Sequence, residues 1–177
     1  MQGCLPEITP EQAKKLLTRR SVRRGFRQIP PERVELLYFP FYRFSLEVED
    51  RHGRRQIPAA ADGILGTLVF LSNPRWRWAE EEVGMEFAFA LTPEEARTRV
   101  REAYRWVLFR ARLKRHSGRL LAVEGGEAFG YPYWAGYFRV RGKWDFALLD
   151  AVTGLGLGGP LRQAFLHALL DWAADSK

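Results

Sequence analysis

Two aspartates, Asp62 and Asp150, each begin a short segment that ends in glycine four residues later, and this spacing suits two kinds of chemistry. The segments read Asp62-Gly63-Ile64-Leu65-Gly66 and Asp150-Ala151-Val152-Thr153-Gly154. Two carboxylates that meet in a fold can carry out acid–base catalysis or hold a metal ion. An aspartate in such a segment also accepts hydrogen bonds within a tight turn, where glycine supplies the positive φ. The sequence leaves both interpretations open.

Aromatic residues follow prolines at a second pair of sites, Phe39-Pro40-Phe41-Tyr42 and Tyr131-Pro132-Tyr133-Trp134. The second group can line a ligand pocket, and it can equally pack into a core. The candidate ligand-binding residues are therefore Tyr131, Tyr133, Trp134, Asp62 and Asp150.

The chain contains no recognisable catalytic motif. It has no Gly-x-Ser-x-Gly segment, and its three histidines have no metal-ligand spacing. Cys4 is the only cysteine, which excludes an internal disulfide, and we expect it to lie outside the fold. We predict no catalytic residue, metal or cofactor, and a non-enzymatic ligand-binding or regulatory module. An enzyme with a site between Asp62 and Asp150 is the alternative.

Positive charge is concentrated in two blocks. Residues 14–33 hold eight basic residues against one acidic residue, and residues 97–119 hold nine against one. Both blocks follow a predicted helix start, so a second alternative function is a protein that binds nucleic acid or another polyanion through two basic helices. A solvated helix exterior explains the same charges. The candidate contacts to nucleic acid are Arg19, Arg20, Arg23, Arg24, Arg27, Arg105 and Arg112.

Three short motifs occur twice in the same order. Besides the aspartate and aromatic segments, residues 9–13 (TPEQA) recur as residues 92–96 (TPEEA). The offsets are 83, 92 and 88 residues. A duplication explains three matches in one order, with pseudo-repeats over about 9–66 and 92–154. Independent use of good helix caps and turns is the alternative.

The repeated motifs also predict secondary structure. Thr9 and Thr92, each with Gln or Glu three residues later, form capping boxes and should begin helices. The second helix has an apolar stripe through Ala96, Val100 and Tyr104, which Trp106, Phe109 and Leu113 would widen. Proline cannot donate to a central ladder, so Pro40 and Pro132 should begin strands or lie at an edge.

Strands and one more helix complete the predicted fold. Arg141-Gly142-Lys143 should turn one hairpin, and residues 50–54 should form a longer tip for the other. Residues 85–91 should form a strand. A C-terminal helix over about 160–174 should close one end, and Leu166 and Leu170, which lie off its apolar face, favour either core packing or a homo-oligomer contact.

The predicted fold is one α+β domain over residues 1–177. It has two layers, with an antiparallel sheet of five to seven strands and helices on one face, built from two pseudo-repeated helix–hairpin units.

The second half resembles the PepSY-type module. The resemblance rests on Thr92-Pro93-Glu94-Glu95-Ala96 and on Leu149-Asp150-Ala151-Val152-Thr153-Gly154, and it covers about residues 92–158. It implies a helix packed on a short antiparallel sheet. It also implies an inhibitory or ligand-holding domain, usually outside the cytoplasm.

Composition and termini predict the location. The first ten residues contain no long apolar run, so we expect no signal peptide, no membrane contact and a cytoplasmic protein. Arginine (23) far exceeds lysine (5) and Asn73 is the only asparagine, a composition typical of a thermophile.

Overall fold

The fold is α+β, with a five-stranded antiparallel sheet and three helices. The computed structural model describes residues 1–21, 27–71, 77–85, 87–113, 118–157 and 159–175. In chain order the elements are α1 (Pro10–Leu17), β1 (Arg19–Ser21), β2 (Arg27–Ile29), β3 (Arg33–Asp50), β4 (Gly53–Asp62), β5 (Leu68–Phe70), α2 (Pro93–Leu113), β6 (Gly118–Val140), β7 (Lys143–Asp150) and α3 (Gly159–Asp175). The large sheet has the order β5-β4-β3-β6-β7, and β1 and β2 form a separate antiparallel pair.

Both predicted capping boxes are present. The Thr9 N–H donates to Gln12 Oε1 (2.9 Å), and the Gln12 N–H donates to Thr9 Oγ1 (3.3 Å). Thr92 and Glu95 exchange the equivalent bonds at 2.8 and 3.3 Å. Each pair satisfies donors that the first helical turn leaves without a partner, so both helices begin where the sequence predicts.

Helices α1 and α2 lie on the same face of the large sheet, over different parts of it. Ala13 and Leu17 of α1 pack with a cluster on β6 and β7 that includes Trp134. Ala96 and Val100 of α2 pack with a cluster on β3, β4 and the first half of β6. Burial of these apolar stripes holds both helices on the sheet, and it is essential for α1, because an isolated helix of eight residues is unstable in water.

Two equivalent hydrogen bonds fix the helix starts to the sheet. Trp134 Nε1 donates to the carbonyl of Ile8 (2.9 Å), and the Tyr42 hydroxyl donates to the carbonyl of Leu91 (2.7 Å). Ile8 and Leu91 are the residues immediately before the two N-cap threonines. The position of Trp134 is thus explained by its role under α1.

The predicted position of α3 is wrong. Its Ala164, Phe165 and Ala168 belong to a cluster with Phe39 and Tyr133, on the sheet face opposite α1 and α2. Side chains alternate between faces along a strand, and Phe39 and Phe41 point away from the face that carries Tyr42 and Phe44. The sheet is therefore covered on both faces, and the fold has three layers rather than two.

The basic block 14–33 is not one helix. α1 ends at Leu17, its last buried residue, and the chain continues as β1 and β2. One turn after Leu17, the apolar stripe would continue at positions 20 and 21. The sequence has Arg20 and Ser21 there, so it provides no apolar residue to extend the stripe. Thr18 adopts an extended conformation at the helix end.

Pro40 and Pro132 lie inside the two central strands, not at strand starts or edges. Pro40 is paired with Gly130, whose N–H donates to the carbonyl of Gln2 and whose carbonyl accepts from the N–H of Cys4. The polar groups of Gly130 thus point away from β3, which makes this a non-hydrogen-bonded pair of the ladder. Pro132 pairs with Tyr38, two pairs along the same ladder, and this is again a non-hydrogen-bonded pair. Neither proline costs the central ladder a bond.

Three further sequence expectations differ from the structure. The hairpin tip at residues 50–54 is a two-residue loop, because Asp50 pairs with Gly53. Residues 85 and 87–91 form no strand, and Phe87 packs in the core instead. Cys4 is fully buried rather than outside the fold. Residues 1–8 contain no periodic pattern from which the burial of Cys4 could be predicted.

Candidate ligand-binding cavity

A cavity of about 380 Å³ lies on the α3 side of the sheet and brings together three of the five predicted ligand-binding residues. Tyr131 and Tyr133 of β6 and Asp150 at the end of β7 line it. The polar part of the lining also includes Glu7 and Thr153. The apolar part includes Phe41, Val69, Phe70, Leu71, Leu155, Leu157 and Leu161.

The Asp150 carboxylate is held by its own turn. Oδ1 accepts the N–H groups of Val152 (2.8 Å) and Thr153 (2.9 Å), and the Tyr131 hydroxyl lies 3.1 Å from both oxygens. The turn closes with Gly154 at φ 73°. Each carboxylate oxygen offers about two acceptor sites, so Oδ2, which has only the shared Tyr131 hydroxyl, retains acceptor capacity.

Tyr131 and Tyr133 present protonated hydroxyls. Burial raises the pKa of both phenols, and the nearby Asp150 charge raises both pKa values further. Tyr133 is only 4% exposed, and its hydroxyl has no hydrogen-bond partner among the described residues. Tyr133 lines the cavity, so a bound molecule can reach this hydroxyl, which can both donate and accept a hydrogen bond.

Cys4 lies close to this site and is unsuited to nucleophilic chemistry. Burial, with smaller effects from the Asp150 and Glu7 charges, raises the pKa of its thiol to about 12. The thiolate is the reactive form of cysteine, and this environment suppresses it. Across the described ranges, no three His, Cys, Asp or Glu side chains are grouped in a way that holds a metal ion.

The structure does not bring Asp62 into the cavity. Asp62 is fully buried, and its carboxylate accepts three backbone N–H groups, from Ile64 (3.0 Å), Leu65 (2.6 Å) and Thr67 (2.7 Å). This carboxylate is occupied within its own turn. No observation favours the enzyme alternative, which needs Asp62 and Asp150 in one site.

Trp134 also lies elsewhere, on the opposite sheet face under α1. Alternation along β6 separates it from Tyr131 and Tyr133, which is a consequence of the strand period of two. The sequence analysis missed Glu7 and Thr153. Thr153 was accessible to it, since it belongs to the Asp150 segment, whereas Glu7 comes from a segment with no recognisable pattern.

The candidate nucleic-acid contacts are only partly described. Arg23 and Arg24 lie outside the described residues, and so do the side chains of Arg19, Arg20, Arg27 and Arg112. Arg105 is exposed on α2.

The outer side of α2 also carries two aromatic residues that were predicted to widen its apolar stripe. Trp106 is 65% exposed and Phe109 is 53% exposed, with ring centroids 5.7 Å apart. At about 100° per residue, the two rings lie away from the buried line through Ala96, Val100 and Tyr104.

Among the helices described, none combines the length and the apolar character that crossing a membrane requires. Comparison with protein-family models, with curated proteins and with solved structures finds no match to this chain.

Proposed function

We propose that this protein is a non-enzymatic small-molecule-binding module whose ligand occupies the cavity beneath α3. The observation that carries the proposal is that Tyr131, Tyr133 and Asp150 bring polar groups together in a mostly apolar cavity, where the Tyr133 hydroxyl has no hydrogen-bond partner among the described residues. A bound ligand can offer this hydroxyl a hydrogen bond. Mostly apolar walls with a few convergent polar groups are typical of small-molecule sites.

The protonation states support binding rather than catalysis. The pKa values of Tyr131, Tyr133 and Cys4 are all raised, so none of these groups is poised to act as a base or nucleophile near neutral pH. Asp150 is oriented by two backbone donors and Tyr131, which gives it a fixed position against a ligand.

The test uses 1-octanol as a probe with an apolar tail and one hydroxyl. We expect saturation-transfer NMR to detect binding to the intact chain, and Leu155→Asp to weaken it at least about tenfold, since a charge would replace an apolar wall. Leu155 is 68% exposed, so the change should leave the fold intact. Leu166→Asp, at an exposed leucine outside the cavity, is the matched control. Equal binding by both variants would contradict the proposal.

For the architecture, we propose that residues 9–66 and 92–154 descend from one duplicated unit and are related by a pseudo-twofold axis. The strand register supports this, since Phe39 pairs with Tyr131, Pro40 with Gly130 and Tyr38 with Pro132. If β3 and β6 were equivalent strands that cross at a twofold axis, each residue would pair with the counterpart of its partner, as these three pairs do. A crystal structure in which the Cα traces of the two segments fail to superpose would overturn the duplication.

The PepSY resemblance remains a prediction for about residues 92–158. The helix that begins at Pro93 and the turn at Asp150 occupy the ends of that segment, as the resemblance implies. The ligand-holding role fits the cavity proposal. An alignment of related sequences in which Asp150 and Gly154 vary freely would count against it.

A second candidate function, single-stranded nucleic-acid binding on α2, is favoured by the exposed Trp106 and Phe109 beside Arg105. Exposed aromatic rings stack on bases and arginine neutralises phosphates. We expect fluorescence anisotropy to detect binding of a labelled poly-dT oligonucleotide, with an affinity that falls steeply as the salt concentration rises. The double substitution Trp106→Ala with Arg105→Glu should lower this affinity at least about tenfold.

Trp144→Ala is the control for this experiment. Like Trp106, Trp144 is an exposed tryptophan near an arginine, since it is 63% exposed and Arg139 lies over its ring, but it belongs to the β6–β7 hairpin and not to α2. The change Arg23→Glu with Arg24→Glu tests the first basic block separately. An affinity for the oligonucleotide that changes neither with salt concentration nor with any of these substitutions would contradict the nucleic-acid hypothesis.

A further inference from the structure

Among the described residues that line the cavity, the charges have one sign. Glu7 and Asp150 are acidic, and no lysine, arginine or histidine belongs to this described lining. A carboxylate or phosphate ligand would meet repulsion without a compensating partner, whereas a cation would be attracted at the polar end.

Three clustered aromatic rings line the cavity together with Asp150. The ring centroids of Tyr131 and Tyr133 are 5.3 Å apart, and Phe41 lies 5.6 Å from Tyr131 and 6.3 Å from Tyr133. All three line the cavity. Clustered rings next to a carboxylate are the arrangement by which proteins recognise ammonium groups, because the ring faces carry partial negative charge.

The available hydrogen-bonding groups distinguish a protonated amine from a quaternary one. Asp150 Oδ2 has unused acceptor capacity, and the Tyr133 oxygen accepts no bond from the described residues. A primary ammonium offers three donors and no acceptor, which matches two free acceptors and the nearby Glu7 carboxylate. A quaternary ammonium would leave those acceptors unsatisfied.

We infer that the ligand is a primary amine carried on an apolar body, with its ammonium group between Asp150 and Tyr133 and its chain against Leu155, Leu157 and Leu161. The inference rests on the proposed small-molecule-binding function, and it goes further by naming the ligand's charge and head group. Asp150 and Tyr133 are its specificity-determining residues.

The experiment compares n-octylamine, 1-octanol and octanoate, which share one chain length and differ in head-group charge. We expect octylamine to bind the intact protein at least about tenfold more tightly than octanol at neutral pH, and octanoate to bind more weakly than either. Ligand-observed NMR titration gives all three affinities.

Asp150→Asn is the key variant, because asparagine keeps the oxygen that accepts from Val152 and Thr153 while removing the charge. It should bring the octylamine and octanol affinities within about twofold of each other. Tyr133→Phe should weaken octylamine about three- to tenfold. Glu7→Gln, at an exposed residue, should cut the preference about two- to fivefold without risk to the fold.

Each outcome distinguishes the two proposals. If none of the three probes binds, the small-molecule function fails together with this inference. If octanol or octanoate binds as tightly as octylamine, or if Asp150→Asn keeps the full preference, the amine inference fails while the binding function stands. Binding of octyltrimethylammonium as tight as that of octylamine would overturn the hydrogen-bonded head group.

Discussion

The turns at Asp62 and Asp150 have the same internal hydrogen bonds and opposite surroundings. In both, the aspartate Oδ1 accepts the N–H groups two and three residues later, and the aspartate carbonyl accepts the N–H of a glycine four residues later. Asp62 is fully buried, and its Oδ2 accepts a third N–H, from Thr67. Asp150 remains partly accessible and meets a tyrosine hydroxyl instead. One local structure therefore forms a fully buried turn at Asp62 and borders the cavity at Asp150.

The aromatic residues of β3 and β6 that lie near the two turns also differ. Phe41 is paired with Asp62 across β3 and β4, whereas Tyr133 is paired with Asp150 across β6 and β7. Phe39 packs against Phe87 and Phe165, with centroids 5.5 and 5.7 Å away. Phe39 thus packs among aromatic rings, whereas Tyr131 lines the cavity and donates to Asp150.

The largest effect should separate the two aspartates. Asp62→Ala leaves three N–H groups in a buried turn without their acceptor and should lower the free energy of unfolding by about 4 kcal/mol. Asp150→Ala should cost about 1–2 kcal/mol, because water can reach that turn. Urea unfolding followed by circular dichroism gives both values. Equal losses would show that the turns do not differ as their burial indicates.

A similarly large effect concerns Cys4, which lies near Asp150. A pKa of about 12 lowers its thiolate fraction at pH 8 about a thousandfold below that of a cysteine of ordinary pKa, so iodoacetamide should alkylate the native chain at least about a thousandfold more slowly than the unfolded chain. Because the folded pKa is raised, the Cys4 thiol contributes stability that is complete below about pH 9 and is lost as the pH rises towards 12.

Mass spectrometry measures the alkylation rate, with the urea-unfolded chain as the reference. Rapid labelling of the native protein at pH 8 would contradict the burial of Cys4.

An intermediate effect should come from exchanging the paired aromatic residues. Phe39→Tyr places a hydroxyl among Phe87 and Phe165 and should cost about 2 kcal/mol. Tyr131→Phe removes a hydrogen bond to a partly accessible carboxylate and should cost about 1 kcal/mol. Thermal unfolding of both variants tests the order. A larger loss for Tyr131→Phe would mean that its hydroxyl is more important to the fold than its bond to Asp150 indicates.

The smallest effect should appear at the two glycines that end the turns. Gly66 (φ 70°) and Gly154 (φ 73°) both have a left-handed conformation, so alanine should cost about 1 kcal/mol at each. A Cβ at Gly66 would lie 2.6 Å from Arg99 Cδ, whereas at Gly154 the nearest atom is Ile8 Cδ1 at 3.3 Å. Gly66→Ala should therefore be slightly worse, by a few tenths of a kcal/mol, as measured by urea unfolding.

The local features of the fold were predictable because each depends on residues close together in the chain. The capping boxes at Thr9 and Thr92 join residues three apart, and the hairpin turn at Arg141 and Gly142 is equally local. The apolar stripe through Ala96 and Val100 follows from the helical period. Tyr131, Tyr133 and Asp150 were selected from these patterns, and they line one cavity.

The errors arose where long-range packing decides. The exposure of Trp106 depends on which side of α2 meets the sheet, and the burial of Cys4 depends on a strand-like contact with Gly130, more than a hundred residues away. The length of β3 and β6 depends on their mutual pairing, which carries two prolines through the sheet centre where the ladder needs no N–H from them.

The sequence by itself determined the turns, the caps and the residue types of the two aspartate segments, because side-chain-to-backbone bonds over two to five residues need no partner from elsewhere. Only the tertiary structure decided that Asp62 is buried and Asp150 borders a cavity. Residues 89–91 pack against Gly63 beside the first turn, whereas the second turn borders the cavity. Burial is a property of distant surfaces brought together, so no local pattern could predict this difference.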